Sequence, residues 1–403
     1  GGKGRREADE ANKPAEVEAI EAFLLSQAEF RHNVITHHCE IRWTEEAGFL
    51  PLTDRDVNTL WGRMNKTVGR VYLTDIYNVI HSEFVPLFNP FQSYFDHLPS
   101  WDGVSDPIGD LADTVHVKSD QAEFRDYFRK WFVGILPALL DDTVVNHEIL
   151  VLIGEQGLYK TTWFNFLLPP ELRCYFYTKT NSDRLNKDDL FSLTEFALIC
   201  FEELDGMRPA ELNQLKAMVT MPYVNERAAY GRNKERHPHI ASFCGTGNNV
   251  QFLTDPTGNR RWLPFEVSQI RDPHQHAIPY ELVYSQAYAL WKSGFCHWFS
   301  QEEIRVLNTH NSRFEVPNLE EDLIRTHFRK PFEGEAGIFV TAADILEQIS
   351  SCLRYPLSPN KIGRIMAGLE FESIRYKGKR GYITVKKTGE DIDRERRSGA
   401  LGL

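Results

Sequence analysis

No stretch of the chain constrains its fold more than Glu148–Thr162, EILVLIGEQGLYKTT. Ile149-Leu150-Val151-Leu152-Ile153 is an unbroken apolar run, as expected of a strand buried on both faces. Gly154-Glu155-Gln156-Gly157 breaks the run, and Lys160-Thr161-Thr162 leads into Trp163-Phe164-Asn165-Phe166-Leu167. Strand, glycine loop and helix start in that order predict a phosphate-binding loop, with backbone N–H groups facing an anion. In such a loop Lys160 reaches the β- and γ-phosphates and the Thr161 hydroxyl holds Mg²⁺, with Thr162 following it. ATP and Mg²⁺ are the ligands this pattern calls for. One position departs from it. Tyr159 stands where glycine is expected before the lysine, and a bulky residue fits there only if the backbone is not strongly strained. A plain strand–turn–helix with a solvated lysine is the competing reading.

The length of 403 residues exceeds one ordinary core, so two or three domains are expected. A hydrophobic content of 42% beside 26% charged residues is that of a soluble globular chain. No apolar run is long enough to span a bilayer and no signal-peptide core opens the chain, so the expectation is a cytoplasmic protein without membrane contacts. The net charge of −11 excludes a surface that coats nucleic acid throughout and leaves room for local basic patches. Cys39, Cys174, Cys200, Cys244, Cys296 and Cys352 are scattered without a CxxC pair, which suits reduced, mostly buried thiols. His37-His38-Cys39 lies in a strand-like segment, where neighbours point to opposite faces and do not share a metal.

In chain order, residues 1–13 read as a flexible lead-in and residues 14–115 as a mostly helical module. Helical spacing runs from Pro14 to Ala28, strand-like alternation from Val34 to Trp43, and a cap at Thr53-Asp54-Arg55-Asp56 precedes Val57, Leu60, Trp61 and Met64. A second helix follows from Thr74, and the aromatics of Phe88–Gly103 are expected to dock the module on its neighbour. Residues 116–314 read as the ATPase core. Its amphipathic helix spans Asp120–Leu140, and a second buried strand, Phe196–Phe201, runs into Glu202-Glu203-Leu204-Asp205, the Mg²⁺-and-water end of a nucleotide hydrolase. In the basic interval Asn225–His237, Arg232, Lys234 and Arg236 alternate along one potential strand face, suited either to a DNA backbone or to solvent. A third strand from Ile240 ends in Gly245-Thr246-Gly247-Asn248-Asn249. Residues 315–336 read as a linker, 337–388 as a winged-helix-like domain and 389–403 as a flexible tail. In that domain, strands Phe371–Tyr376 and Gly381–Val385 flank a basic tip, Lys377-Gly378-Lys379-Arg380. With Lys361 and Arg364 these side chains face DNA, unless the domain serves protein contacts alone.

The order GEQGxxKTT, FEELD, YGRN, GTGNN, DPTGNRRW resembles the virulence-associated protein E family, superfamily 3 helicase-like AAA+ ATPases of phages and mobile elements. The likeness covers about Val34 to Val267, and the region beyond is similar to the extra domain of Bacteroides-type members. It implies that Gly154, Gly157, Lys160 and Thr161 are Walker A residues, that Glu203 activates water and that Glu202 helps hold Mg²⁺. It also implies that Asn248 orients the attacking water and that Arg260 or Arg261 is an arginine finger acting on a neighbouring subunit's ATP. The fold expected is α/β: a P-loop AAA+-like core between a helical N-terminal module and a winged-helix-like domain. The function expected is ATP-dependent translocation on single-stranded DNA, in a homo-oligomeric, hexameric ring that works with a primase module or other replication proteins. A nucleotide-gated initiator or assembly platform with little ATP turnover is the alternative, and Tyr159 favours it. A small-molecule kinase fits less well, because no lid or acceptor site is evident.

Overall fold

A computed structural model describes residues 16–46, 48–180, 187–226, 235–254, 259–317, 319–350 and 358–389, together with Asp391. The chain divides into two compact units, one ending at Glu315 and the other beginning at Val316. Strands of the first unit, in chain order, are β1 Ala28–Asn33, β2 His38–Trp43, β3 Leu50–Pro51, β4 Leu87–Phe88, β5 Val115–Val117, β6 Ile149–Ile153, β7 Phe176–Lys179, β8 Leu198–Phe201, β9 Tyr223–Glu226, β10 Glu235–Pro238, β11 Ser242–Gly247 and β12 Trp262–Ile270.

The central sheet has six strands in the order β5-β12-β6-β11-β8-β7. All its pairings are parallel except that of β5 with β12. Every residue of β6 is buried. Successive side chains of a strand point to opposite faces, so Leu150 and Leu152 meet one core while Ile149, Val151 and Ile153 meet another. On the first face lie Phe124, Phe128, Trp131 and Phe132 of the helix Gln121–Leu140, with Tyr284 of the helix Tyr280–Lys292. On the second lie Leu212, Leu215 and Val219 of the helix Pro209–Val219. Burying each such side chain stabilises the fold by about 1.5–3 kcal/mol. Trp131 also donates its indole N–H to the Phe243 carbonyl of β11 at 2.9 Å, tying the long helix to the sheet.

The N-terminal region holds more helix than strand, and adds a sheet larger than the single strand-like segment expected. It carries a four-stranded sheet, β3-β2-β1-β4, beside the helices Val17–Gln27, Asp54–Thr67 and Leu73–Ile80. Of the strand-like segment Val34–Trp43 only His38–Trp43 is strand, the second arm of a hairpin with Asn33 opposite His38; Val34–His37 form the turn, held by Asn33 Oδ1 accepting from Ile35 and Thr36 N–H. The helix Asp54–Thr67 starts at the expected cap, where Thr53 and Asp56 form a reciprocal capping box. The aromatics before Gly103 do dock the module: Phe91 packs 4.9 Å from Tyr175 and Phe95 5.9 Å from Tyr284.

The second unit holds β13 Phe328–Arg329, β14 Ile338–Val340, β15 Ser373–Tyr376 and β16 Lys379–Lys386, with helices Leu319–His327, Ala342–Ser350 and Pro359–Gly368. β16 pairs antiparallel with β13, β14 and β15. Ile324, Ile345, Ile349, Ile362, Met366 and Tyr382 form its core. The basic tip is shorter than the sequence suggests. Only Lys377 and Gly378 form the turn, with φ of 47° and 79°, so Lys379 and Arg380 already belong to β16. Positive φ at both central residues matches the strand twist and makes a two-residue turn sufficient.

Candidate functional site

The strands of the parallel sheet place their chemistry at one edge. After Ile153 the chain turns through Gly154–Tyr159 into the helix Lys160–Phe166. After Phe201 come Glu202 and Glu203, and after β11 comes Asn248. All three segments leave the carboxyl ends of neighbouring parallel strands, where open α/β sheets gather ligands. They enclose a cavity of about 410 Å³ lined by Gln156 to Thr162, Glu202, Glu203, Thr246, Gly247 and Asn248.

Lys160 is buried, not the solvated loop charge of the competing reading. Its Nζ donates to the carbonyls of Gly154 (2.6 Å) and Glu155 (2.7 Å), and lies 3.4 Å from Asn248 Oδ1. An ammonium has three donors, so two hold it over the loop while the long third contact leaves a proton for a phosphate oxygen. Burial lowers its pKa, and the nearby Asp205 carboxylate opposes that shift. Thr161 Oγ1 donates to Glu202 Oε1 at 2.8 Å. A hydroxyl and a carboxylate in contact are the oxygen pair that a hard divalent cation takes.

Glycines set the loop's shape where backbone must approach closely. A Cβ on Gly154 would meet the Val267 carbonyl at 2.9 Å, and Gly157 holds φ of 87°. Tyr159 occupies the left-handed region at φ 60°, ψ 18°, and Glu203 does so at φ 54°, ψ 44°. Left-handed backbone costs an L-residue roughly 1–2 kcal/mol. Both strained residues border the same cavity, the kind of place where such strain collects.

Asp205 is the residue sequence reasoning left without a role. Its carboxylate accepts from the N–H of Asn248 (3.2 Å) and Asn249 (3.0 Å) and from Asn249 Nδ2 (2.7 Å). It thereby fixes the loop that presents Asn248 to Lys160. The fold packs FEELD tightly against GTGNN: a Cβ on Gly247 would sit 2.9 Å from Asp205 Oδ1, and one on Gly245 would sit 2.1 Å from Leu204 Cδ1.

Arg260 and Arg261 lie elsewhere. β12 runs parallel to β6 with Trp262 opposite Ile149 and Glu266 opposite Ile153. The arginines just before Trp262 therefore sit at the edge where β6 begins, about 15 Å from the edge where its loop leaves. Asn259 anchors their turn, donating to Glu315 Oε1 at 2.9 Å while its carbonyl accepts from Asn311 Nδ2 at 2.8 Å. Arg260 is exposed. Half-buried Arg261 has its pKa lowered by burial and by Arg260, against the pull of Glu148, whose own carboxyl burial pushes up to about 7. Among the remaining candidates, Arg236 is exposed on β10 with its guanidinium stacked 3.4 Å over the Tyr223 ring. Arg232 and Lys234 lie outside the described residues, as do Cys352 and Asp255–Gly258. Cys39, Cys200 and Cys244 are buried free thiols, whereas Cys174 and Cys296 are exposed.

Among the described residues no helix is long and apolar enough to cross a membrane. No curated protein matches the chain. Two solved structures are similar in outline: the apo structure of the NrS-1 C terminal region (305-718), at 12% identity over 92% of this chain and 98% of that one with a TM-score of 0.47, and the A form apo structure of the same region, at 12% identity, the same coverage and a TM-score of 0.45. The family profile of the virulence-associated protein E-like domain matches residues 96–316, more than half of the chain, and so spans the helix Gln121–Leu140, the whole six-stranded sheet and the turn bearing Arg260 and Arg261. The chain belongs to the virulence-associated protein E-like family.

Proposed function

We propose that the first unit is a P-loop AAA+-like ATPase that translocates on single-stranded DNA during replication of a phage or mobile element, working as a homo-oligomeric ring. The observation that carries this reading is the convergence of Lys160, Thr161, Glu202, Glu203 and Asn248 on one cavity behind a glycine loop. Thr161 and Glu202 would hold Mg²⁺, which supplies charge neutralisation at the phosphate oxygens. Lys160 and the loop N–H groups hold the terminal phosphates in line. The Asn248 amide positions a water, and Glu203 takes its proton as the water oxygen bonds the γ-phosphorus. The bond to the β,γ-bridging oxygen breaks, and ADP and phosphate leave. Arg260 and Arg261, remote from their own chain's cavity, serve the cavity of the adjacent subunit.

The hairpin β9–β10 faces the DNA in this reading, with Arg236, and with Arg232 and Lys234 of the sequence between the two strands, tracking the phosphates. In the second unit, the element order helix, two short strands, two helices and hairpin supports a winged-helix domain, with Lys377, Lys379 and Arg380 as its basic contacts. Lys361 is committed elsewhere, since its ammonium is bonded to the buried carboxylate of Glu320. ATP hydrolysis is expected to depend on Mg²⁺ and to rise severalfold with single-stranded DNA. Absence of hydrolysis with and without DNA would remove the enzyme reading.

Tyr159 favours a second reading, a nucleotide-gated initiator with little turnover. Replacing Tyr159 by Gly removes the left-handed penalty of about 1–2 kcal/mol and adds unfolded-chain entropy of about 0.5–1 kcal/mol, so stability changes little. If the ring is tolerated, ATP turnover of Tyr159→Gly stays within about tenfold of the parent, the equivalent of about 1.4 kcal/mol. A large gain from a near-inactive parent would favour the initiator, in which the ring obstructs the phosphates. No nucleotide binding in either protein would sink both readings.

A further inference from the structure

The hairpin β15–β16 carries a charge arrangement that folding alone disfavours. Its register sets Arg375 directly opposite Arg380 and Tyr376 opposite Lys379. Like charges opposite one another weaken an antiparallel pair. Asp344 lies near enough to Lys379 to feel its charge, but Arg364, Arg375, Lys377, Lys379 and Arg380 are exposed and make no ion pair among the described residues. Elsewhere in the unit Arg325 pairs with Glu321 (2.9 Å), Arg329 with Glu335 (2.6 Å), Lys330 with Glu370 (3.5 Å) and Lys361 with Glu320. The uncompensated charge is thus concentrated on the hairpin and its neighbour helix.

The hairpin is braced. Opposite residues share a face, so Arg375 and Arg380 lie on the side of Ser373 and Tyr382, and Arg380 Nε donates to Ser373 Oγ at 2.8 Å. Buried Tyr382 donates its hydroxyl to the Gly363 carbonyl at 3.3 Å, on the helix Pro359–Gly368. The arginine pair begins two residues further along the strands, about 7 Å from that contact. Arg364 follows Gly363 on that helix and is exposed. On the other face Phe339 packs 5.4 Å from the ring of Tyr376.

We infer that this helix and hairpin form a second nucleic-acid site, which takes the backbone of double-stranded DNA and is separate from the single-strand contacts proposed for β9–β10. A stiff two-stranded ribbon fits a duplex groove, and bound phosphates remove the repulsion between the arginines. The choice of DNA as the polyanion rests on the function proposed above; the unrelieved charge pair does not.

The test uses the full chain, without ATP, on labelled duplex and single-stranded DNA of one sequence across a salt series. Arg375→Glu is expected to weaken duplex binding at least tenfold at low salt and to reduce the salt slope by about 1–2. Its thermal transition should hold or rise, because the new carboxylate faces Arg380. A fall in thermal stability would make the pair a structural feature and overturn the inference. Lys377→Glu, at the solvent tip and away from the core, should weaken duplex binding in the same direction without affecting folding. Unchanged duplex affinity in both variants overturns the inference, and so does an equal loss on single strands, which marks a general anion surface. ATP hydrolysis of the same samples without DNA reports on the nucleotide site independently, so a failure there leaves the duplex result readable.

Discussion

Lys160→Ala is expected to lower ATP turnover by a factor on the order of 10² or more, the scale for removing one donor aimed at developing charge. The lysine's burial adds a second consequence. Its ammonium satisfies the carbonyls of Gly154 and Glu155, and the alanine variant leaves both without that partner. A buried acceptor left unpaired costs about 1–3 kcal/mol, so the variant should also melt a few degrees lower while keeping its secondary structure. Hydrolysis should be compared at a temperature where both proteins are folded, with nucleotide binding measured alongside. A variant that is folded and hydrolyses ATP at the parent rate would show that the loop does not hold the phosphates.

What the sequence displayed and what it concealed differ by the range of the interactions involved. The central strand Ile149–Ile153, the long helix Gln121–Leu140 and the cap at Thr53 were legible because period and capping are local properties. The cavity residues Lys160, Thr161, Glu202, Glu203 and Asn248 were legible because each follows an apolar run with a turn at its end. β1 was not, since in Ala28–Asn33, AEFRHN, the apolar alternation is limited to Ala28 and Phe30, and the strand is completed by pairing with β2 and β4. The helical spacing before it simply stops at Gln27. Asp205 lay in plain view in FEELD, but its role needs β8 and β11 to be neighbours, a fact of topology. The burial of Lys160 was hidden for the same reason, because the loop's own carbonyls draw the side chain inward. On β15–β16, the opposition of Arg375 and Arg380 depends on a two-residue turn that the longer basic tip disguised.

The position of the arginine pair leads to the most discriminating result expected of this chain. Arg260 and Arg261 stand at the amino edge of the sheet while the glycine loop Gly154–Tyr159 stands at its carboxyl edge, so neither reaches its own chain's cavity. If they act on ATP at all, they act on a neighbour's. Arg260→Ala or Arg261→Ala should bind ATP as the parent does and lose turnover by roughly 10³–10⁵, the value of an arginine finger. Arg260 is the stronger candidate because it is exposed and makes no ion pair among the described residues, whereas Arg261 is half-buried within the influence of Glu148. Mixing the inactive arginine variant with inactive Lys160→Ala protein places some intact lysine sites against intact arginines. Activity should then reappear at those interfaces and pass through a maximum as the mixing ratio varies. A monomeric hydrolase gives no such recovery at any ratio. Absence of rescue between variants shown to co-assemble would eliminate the shared site, and with it the ring as the catalytic unit.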